Sequence, residues 1–253
     1  MALIWHKEAA GNRYEVRTHG ASVRLYSNGV FHSQWNDRDP LKGSLWELLL
    51  LPVFFVPAAA IRRVLLLGVG GGALIRLLQR YVAPKSIVGV DIDRHHLTVA
   101  RRFFGVTRAE LIHADAREFV AEYLTAAQLP GRGGGGFDLV IDDLFGHVDG
   151  EASRAIEADE GWCSSLLALT HRHGLVVSNF GSRKELLASG WRKPVIRAQL
   201  GNSWTAEHPE YENCIGVFSA QPLGRKTLLQ QAPPELNPRN PQRRLDSRLR
   251  PLR

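Results

Sequence analysis

Cysteine is scarce in this chain and methionine scarcer. Among 253 residues there are two of the first, Cys163 and Cys214, and one of the second, Met1. Two cysteines cannot build a disulfide framework, and these two lack metal-ligand spacing, so reduced thiols in a cytoplasmic protein are expected. Long clean hydrophobic runs are also missing. The most apolar stretch, LWELLLLPVFFVPAAAI at 45–61, is interrupted by Glu47, Pro52 and Pro57, and it falls short of the ~20 residues that a membrane-spanning helix needs. It is expected to be a buried helix leading into the first core strand, with no membrane partner. The first residues lack a basic segment followed by an apolar one, so no secretory signal is expected. Acidic residues are outnumbered, 25 against 32 basic, for a net charge of +7. That surplus is local. Residues 221–253 hold eight basic and two acidic side chains, which leaves the rest of the chain nearly neutral. A body without excess charge excludes a broad polyanion-binding surface. The tail is rich in Pro and Gln and has no hydrophobic period. It is expected to be disordered, making at most weak contact with nucleic acid or another polyanion.

What is present is a repeating texture. Residues 13–31, RYEVRTHGASVRLYSNGVF, alternate loosely and carry a turn signal at Asn28–Gly29, which predicts short antiparallel strands. From residue 64 onward, apolar runs recur: VLLL (64–67), SIVGV (86–90), AELI (109–112), FDLVI (137–141) and GLVVSNF (174–180). Helix-like stretches lie between them at 73–81, 94–104, 116–128 and 153–172. Continuous apolar strands alternating with helices predict a parallel sheet covered on both faces, the doubly wound Rossmann-like α/β class. Residues 202–208 and 213–220 are strands with no helix between them, and predict an antiparallel pair at one edge. The expected division is a β element over 1–45, the Rossmann-like domain over 46–220 and the tail over 221–253.

Two glycine clusters need separating. GRGGGG at 131–136 precedes a strand, whereas a phosphate loop must follow one, so a flexible surface loop is expected there. LLLGVGGGALIRLL at 65–78 has the required order of strand, tight turn and helix. Glycine permits positive φ in that turn and lets a ligand approach the backbone. About 20 residues on, SIVGVDID puts Asp91 at the next strand tip, where a carboxylate can accept both ribose hydroxyls. Asp93 is expected to cap the following helix. A third strand ends in LIHADAREF, with Asp115 placed to accept from an adenine amino group or to cap a helix. Three successive tips thus suit an adenosine nucleoside, and the G-V-G-G-G turn favours S-adenosylmethionine over a pyrophosphate ligand. The fourth strand ends in FDLVIDDLFGHVDG, with Asp142, Asp143, His147 and Asp149 clustered at 137–150. Neighbouring residues alternate faces in an extended chain, so Asp142 and Asp143 should point in different directions.

Residues 64–149 resemble the spermidine synthase family, the polyamine aminopropyltransferases, which share the class I S-adenosylmethionine-dependent methyltransferase fold. The glycine turn, VDID, HADAREF and the acid after FDLVI stand in that family's order, and NGVF (28–31) and WELLLLP (46–52) extend the likeness more weakly. The resemblance implies a nucleoside pocket lined by Gly68, Gly70, Gly72, Asp91, Ile92, Asp115, Ala116 and Asp142, with Asp142 as the catalytic acid–base group. Asp143, Phe145, His147 and Glu47 would lie on the substrate side. The implied cosubstrate is S-adenosylmethionine or its decarboxylated form, the partner a small molecule, and the N-terminal strands the natural element of a homodimer.

The departures fall on the chemistry. The family's acid within the glycine turn is Gly71 here. Its second acid after the fourth strand, counted from Asp142, is Phe145. Its glutamine after the hairpin is His32, and its tyrosine before Glu47 is Leu45. Loss of acids disfavours a doubly charged amine, whose desolvation needs carboxylate partners. Gly71 would also leave room for the carboxylated cosubstrate. The leading expectation is therefore a spermidine synthase-like transferase that moves a methyl group to a small or apolar acceptor. A polyamine aminopropyltransferase with altered specificity and a non-catalytic nucleoside-binding protein are the alternatives. No metal is expected, because the fifth strand ends in Ser178–Asn179 without an acid.

Overall fold

A computed structural model describes residues 1–127, 136–148 and 151–252. The chain opens with a four-stranded antiparallel meander, β1 (Ala2–Ala9), β2 (Asn12–His19), β3 (Ser22–Ser27) and β4 (Val30–Trp35), paired in sequence order. The β3–β4 turn is the one the sequence signals. Asn28 and Gly29 both have positive φ, 51° and 82°, as a two-residue hairpin turn of matching twist requires. The apolar stretch that follows is not one helix. It divides into α1 (Leu45–Leu50) and two 3-10 turns, Leu51–Phe55 and Ala58–Ala60, because Pro52 and Pro57 withhold the amide protons that a continuing α-helix needs.

The main sheet follows: β5 (Arg63–Leu67), α2 (Ala73–Tyr81), β6 (Ser86–Asp91), α3 (Arg94–Arg102), β7 (Glu110–His113), α4 (Ala116–Ala127) and β8 (Phe137–Asp142). A hairpin, β9 (Phe145–Val148) with β10 (Glu151–Arg154), leads to α5 (Glu160–Ala168) and β11 (Thr170–Phe180). Then come α6 (Arg183–Ala188), a 3-10 turn at Gly190–Arg192, α7 (Pro194–Arg197), β12 (Asn202–Glu207), β13 (Cys214–Ser219), α8 (Arg225–Gln231) and β14 (Arg248–Pro251). The eight strands lie in the order β14-β12-β13-β11-β8-β5-β6-β7. β11, β8, β5, β6 and β7 are parallel, and β13, β12 and β14 close the other edge antiparallel. The chain leaves β5 toward β7 and returns to β8, so the order reverses between β5 and β8. In such sheets, ligands bind at that point, outside the carboxyl ends of the strands.

Strand alternation divides the core in two. Val64, Leu66, Leu139, Ile141, Leu175 and Val177 pack on the face shared with α1, α2 and the N-terminal sheet. Leu65, Leu67, Val140, Val176 and Phe180 pack on the opposite face with α5. That parity decides where the polar residues at the strand tips go.

Two expectations need correction. The stretch 153–172 is not a single helix: Glu151–Arg154 pairs with β9, and α5 begins only at Glu160. Asp159 sets that start by accepting from the Trp162 amide at 2.7 Å, an N-cap. Cross-strand pairing overrides the helical propensity of the Ala- and Glu-rich residues before it. The basic tail is ordered rather than disordered. Leu228, Leu236 and Leu245 are fully buried in the first core, and β14 extends the main sheet by pairing with β12. Its spaced leucines are too few to show a period, yet all three join the core cluster that holds Leu48 and Leu51, and α8 packs against the 3-10 turn after α1. The glycine run 131–136 and Asp149 lie outside the described residues, apart from Gly136. Among the described residues, no helix is long and apolar enough to cross a membrane.

Candidate active site

A cavity of about 560 Å³ opens at the carboxyl ends of β5, β6, β8 and β11, with the N-terminal sheet as its other wall, a size suited to a small molecule. Gly68 and Gly70 line it at the end of β5. Gly68 has φ +90°, and a Cβ there would lie 2.1 Å from the Asp143 carbonyl oxygen. The glycine is therefore needed for the β8 backbone to pass, apart from any ligand.

Asp91, at the tip of β6, is buried in the cavity wall. The Val69 and Gly70 amides donate to its Oδ2 at 2.9 Å each, and the Asp93 amide donates to its Oδ1 at 2.8 Å. His96 Nδ1 is 3.7 Å from that Oδ1, and His96 Nε2 is 2.9 Å from Ser27 Oγ. Burial works against the Asp91 charge, but His96 and the amides outweigh it and hold the carboxyl below its ordinary range. For His96, burial is likewise outweighed, by Asp91 and Asp93, and its pKa is raised. Asp93 caps α3 by accepting from the His95 amide, as expected, and also accepts from Tyr14 OH at 2.6 Å. Burial, with Asp93 adding, pushes the Tyr14 hydroxyl up to about 12.

The two acids after β8 part company, but opposite to the expectation. Asp143 follows the parity of Leu139 and Ile141 and faces the cavity. Asp142 follows Val140 to the other face, is fully buried, and is held by Arg154 at 2.9 Å. The assignment of Asp142 to the nucleoside pocket and to catalysis is thus corrected: alternation was legible in the sequence, whereas the face carrying the cavity was not. Asp143 accepts from Asn179 Nδ2 at 2.8 Å. Burial pushes its carboxyl up to about 6, with Asn179 and Arg154 opposing and the Asp142 charge adding.

The other expected residues scatter. Ile92 is 69% exposed on the cavity rim, and Phe145 lines the cavity. Gly72 instead caps α2 with φ +84°, and a Cβ there would strike Val106. At Gly71 a Cβ would meet Ser33 and Phe104 at 2.6 and 2.8 Å, so the space expected for a larger cosubstrate is filled by protein. Asp115 and Ala116 start α4 outside the cavity lining, with Asp115 accepting from the Arg117 amide at 2.7 Å. Glu47 is also outside it: buried in the first turn of α1, it accepts from the Lys42 and Gly43 amides and from Ser44, and burial raises its pKa. His147 lies in β9, and its side chain is outside the described residues.

Residues unmarked in the sequence complete the wall. The loop between β12 and β13 brings Glu210, Tyr211, Glu212 and Asn213 to the cavity, Asn213 donating to Asn179 at 3.0 Å. Among the described residues, the lining holds five carboxylates, Asp91, Asp93, Asp143, Glu210 and Glu212, with His32 and His96 but no lysine or arginine. In a chain of net charge +7, that concentration of acid points to a cationic ligand. PEYEN (209–213), two acids flanking an aromatic between strands, was the available signal. Among the described residues, no three His, Cys, Asp or Glu side chains gather as metal ligands could.

Known proteins resemble part of this chain in sequence and most of it in fold. The polyamine aminopropyltransferase 2 of Caldanaerobacter subterraneus subsp. tengcongensis is 31% identical over 150 residues, 57% of this chain and 45% of that protein. The likeness is to polyamine aminopropyltransferases. A second, from Pyrobaculum neutrophilum, is 32% identical over 127 residues, 47% of this chain and 41% of its own. The chain thus matches less than half the length of these curated relatives. A probable spermidine synthase from Corynebacterium glutamicum superposes with a TM-score of 0.70 at 16% identity, covering 91% of this chain and 87% of that one. No family model matches. The spermidine synthase-like resemblance and the Rossmann-like, methyltransferase-type fold hold.

Proposed function

We propose that the protein is an aminopropyltransferase of the spermidine synthase type, which binds decarboxylated S-adenosylmethionine and transfers its aminopropyl group to a cationic amine. The observation that carries this reading is that, among the described residues, the cavity gathers five carboxylates and no lysine or arginine. The decarboxylated cosubstrate is cationic at both its sulfonium and its amine, whereas the carboxylated form would add an anion with no basic side chain to meet it. Both curated relatives are named as aminopropyltransferases, which supports the same choice.

In this reading, Asp91 accepts from the ribose hydroxyls and Ile92, on the rim, covers the base. Glu210 and Glu212 draw the amine to the mouth. Asp143 faces the acceptor nitrogen and accepts its proton as the nitrogen–carbon bond forms and the carbon–sulfur bond opens. A carboxyl tuned to about 6 is a better base than an ordinary carboxylate and is still ionised at neutral pH. Methyl transfer is the second reading, favoured by Gly71, where the family's acid for the aminopropyl amine is missing and has no space.

Calorimetric titration with S-adenosylmethionine and with its decarboxylated form tests the choice. Tighter binding of the decarboxylated form, abolished by Asp91→Ala, is expected. Preference for the carboxylated form would transfer the conclusion to methyl transfer, and an Asp91→Ala variant of unchanged affinity would remove the pocket assignment.

A further inference from the structure

Arg154, at the end of the β9–β10 hairpin, lies behind the active site. Its side chain is 4% exposed and its head reaches several partners. One terminal nitrogen donates to Asp142 Oδ2 at 2.9 Å and the other to the Asn179 carbonyl, while Nε donates to the Ile156 carbonyl at 3.2 Å. The guanidinium stacks over Phe180, 5.0 Å from the ring centre, and Glu185 lies 3.6 Å from Nε.

These partners flank the residues that form the cavity. Asp142 is the immediate neighbour of Asp143. Asn179, whose carbonyl Arg154 holds, donates through its own side chain to Asp143 Oδ1. Ala155, next to Arg154, lines the cavity and donates its amide to the Leu144 carbonyl at 3.0 Å. A surface arginine needs none of this, and a hairpin could be fastened without spending a buried cation. We propose that Arg154 is a positioning residue for Asp143. From the back of the sheet it offsets the Asp142 charge and fixes the Asn179 main chain, and so sets the orientation and ionisation of the carboxylate facing the cavity. The assignment of a role in turnover rests on the aminopropyltransferase reading; the coupling of Arg154 to Asp143 does not.

Among the described residues, the charged and titratable groups around Asp143 are Asp142 and Arg154 behind it with Glu185 beside Arg154, Asp91 at the tip of β6, Asp93, His32, His96 and Tyr14 across the cavity, and Glu210, Tyr211 and Glu212 at its mouth. Among the described residues, Arg154 is the cation that pairs with Asp142 from the same side. The test reads Asp143 directly, by ¹³C NMR titration of Asp-labelled protein, with the resonance assigned through Asp143→Asn. Wild type should titrate near 6. Arg154→Gln should raise that midpoint by a full unit or more, about tenfold in proton affinity. Adding Asp142→Asn should bring it back, because the uncompensated charge is then gone. Arg154→Lys, which keeps the charge but cannot fork, should give a smaller rise. A purely structural arginine would lower the unfolding temperature and leave the midpoint in place, and that result overturns the proposal. If Arg154→Gln does not fold, an unchanged midpoint in Arg154→Lys overturns it equally. Titration of wild type with neutral 5′-methylthioadenosine keeps the two ideas apart: failure to bind would sink the nucleoside reading while the NMR result still decides Arg154.

Discussion

Asp142 and Asp143 are adjacent in sequence and lie in opposite worlds. Asp143 faces a cavity, accepts one hydrogen bond from Asn179, and has its carboxyl pushed toward neutrality. Asp142 sits fully buried between Arg154 and Trp162, and among the described residues its Oδ1 has no hydrogen-bond partner. On the proposed function, the same chemical group is a reagent on one face, and it is half of a buried ion pair on the other. What separates them is the alternation of a strand by one residue.

Substituting each acid should therefore give opposite signatures. Asp143→Asn should lower kcat/KM for aminopropyl transfer by about 10²-fold or more, as loss of a general base does, with the fold intact. In wild type that rate should climb as pH rises through about 6, since the carboxyl is neutral below that value and cannot accept a proton. Asp142→Asn should instead cost about 3–5 kcal/mol of stability, because it leaves the buried Arg154 charge uncompensated; urea unfolding reads this. If Asp142→Asn removed turnover while leaving unfolding unchanged, the two faces would have to be exchanged.

The Glu210→Gln, Glu212→Gln double variant sharpens the contrast at the cavity mouth. The acceptor KM should rise several-fold with kcat nearly unchanged, and the rise should shrink in high salt, as screened steering predicts. Equal KM values at low salt would place the acceptor elsewhere. The smallest effect belongs to a pair far from either acid. Arg244 and Asp39 form an ion pair with both side chains over one-third exposed, so Arg244→Ala should cost no more than about 1 kcal/mol and leave transfer rates alone.

The main sheet was legible because its strands are continuous apolar runs and its first two turns carry Gly68, Gly70 and Asp91. The choice between Asp142 and Asp143 was not legible. Both lie at the end of the same run, and only the position of the N-terminal sheet shows which face holds the cavity. Glu47 is ambiguous for a similar reason, since a buried acid in the first turn of a helix reads alike as a ligand group or as a partner for the Lys42 and Gly43 amides that precede it. Glu210 and Glu212 carried a signal only when set against the basic composition of the chain. The tail's order is not legible in its composition, because it rests on three leucines, Leu228, Leu236 and Leu245, that join a core cluster with residues nearly 200 positions earlier.

That last contact orders events in time. Arg244 reaches Asp39 and the Leu41 carbonyl across more than 200 residues of sequence. On a ribosome, the segment around Leu41 emerges long before its partner exists, and at about 5–20 residues per second the wait is on the order of ten seconds or more. Until Leu245 arrives, the apolar face of α1 and the turn after it lacks part of its cover. The nascent chain therefore passes through a period in which its most hydrophobic stretch is incompletely shielded, and closing that face is a late, long-range step of the kind that slows folding.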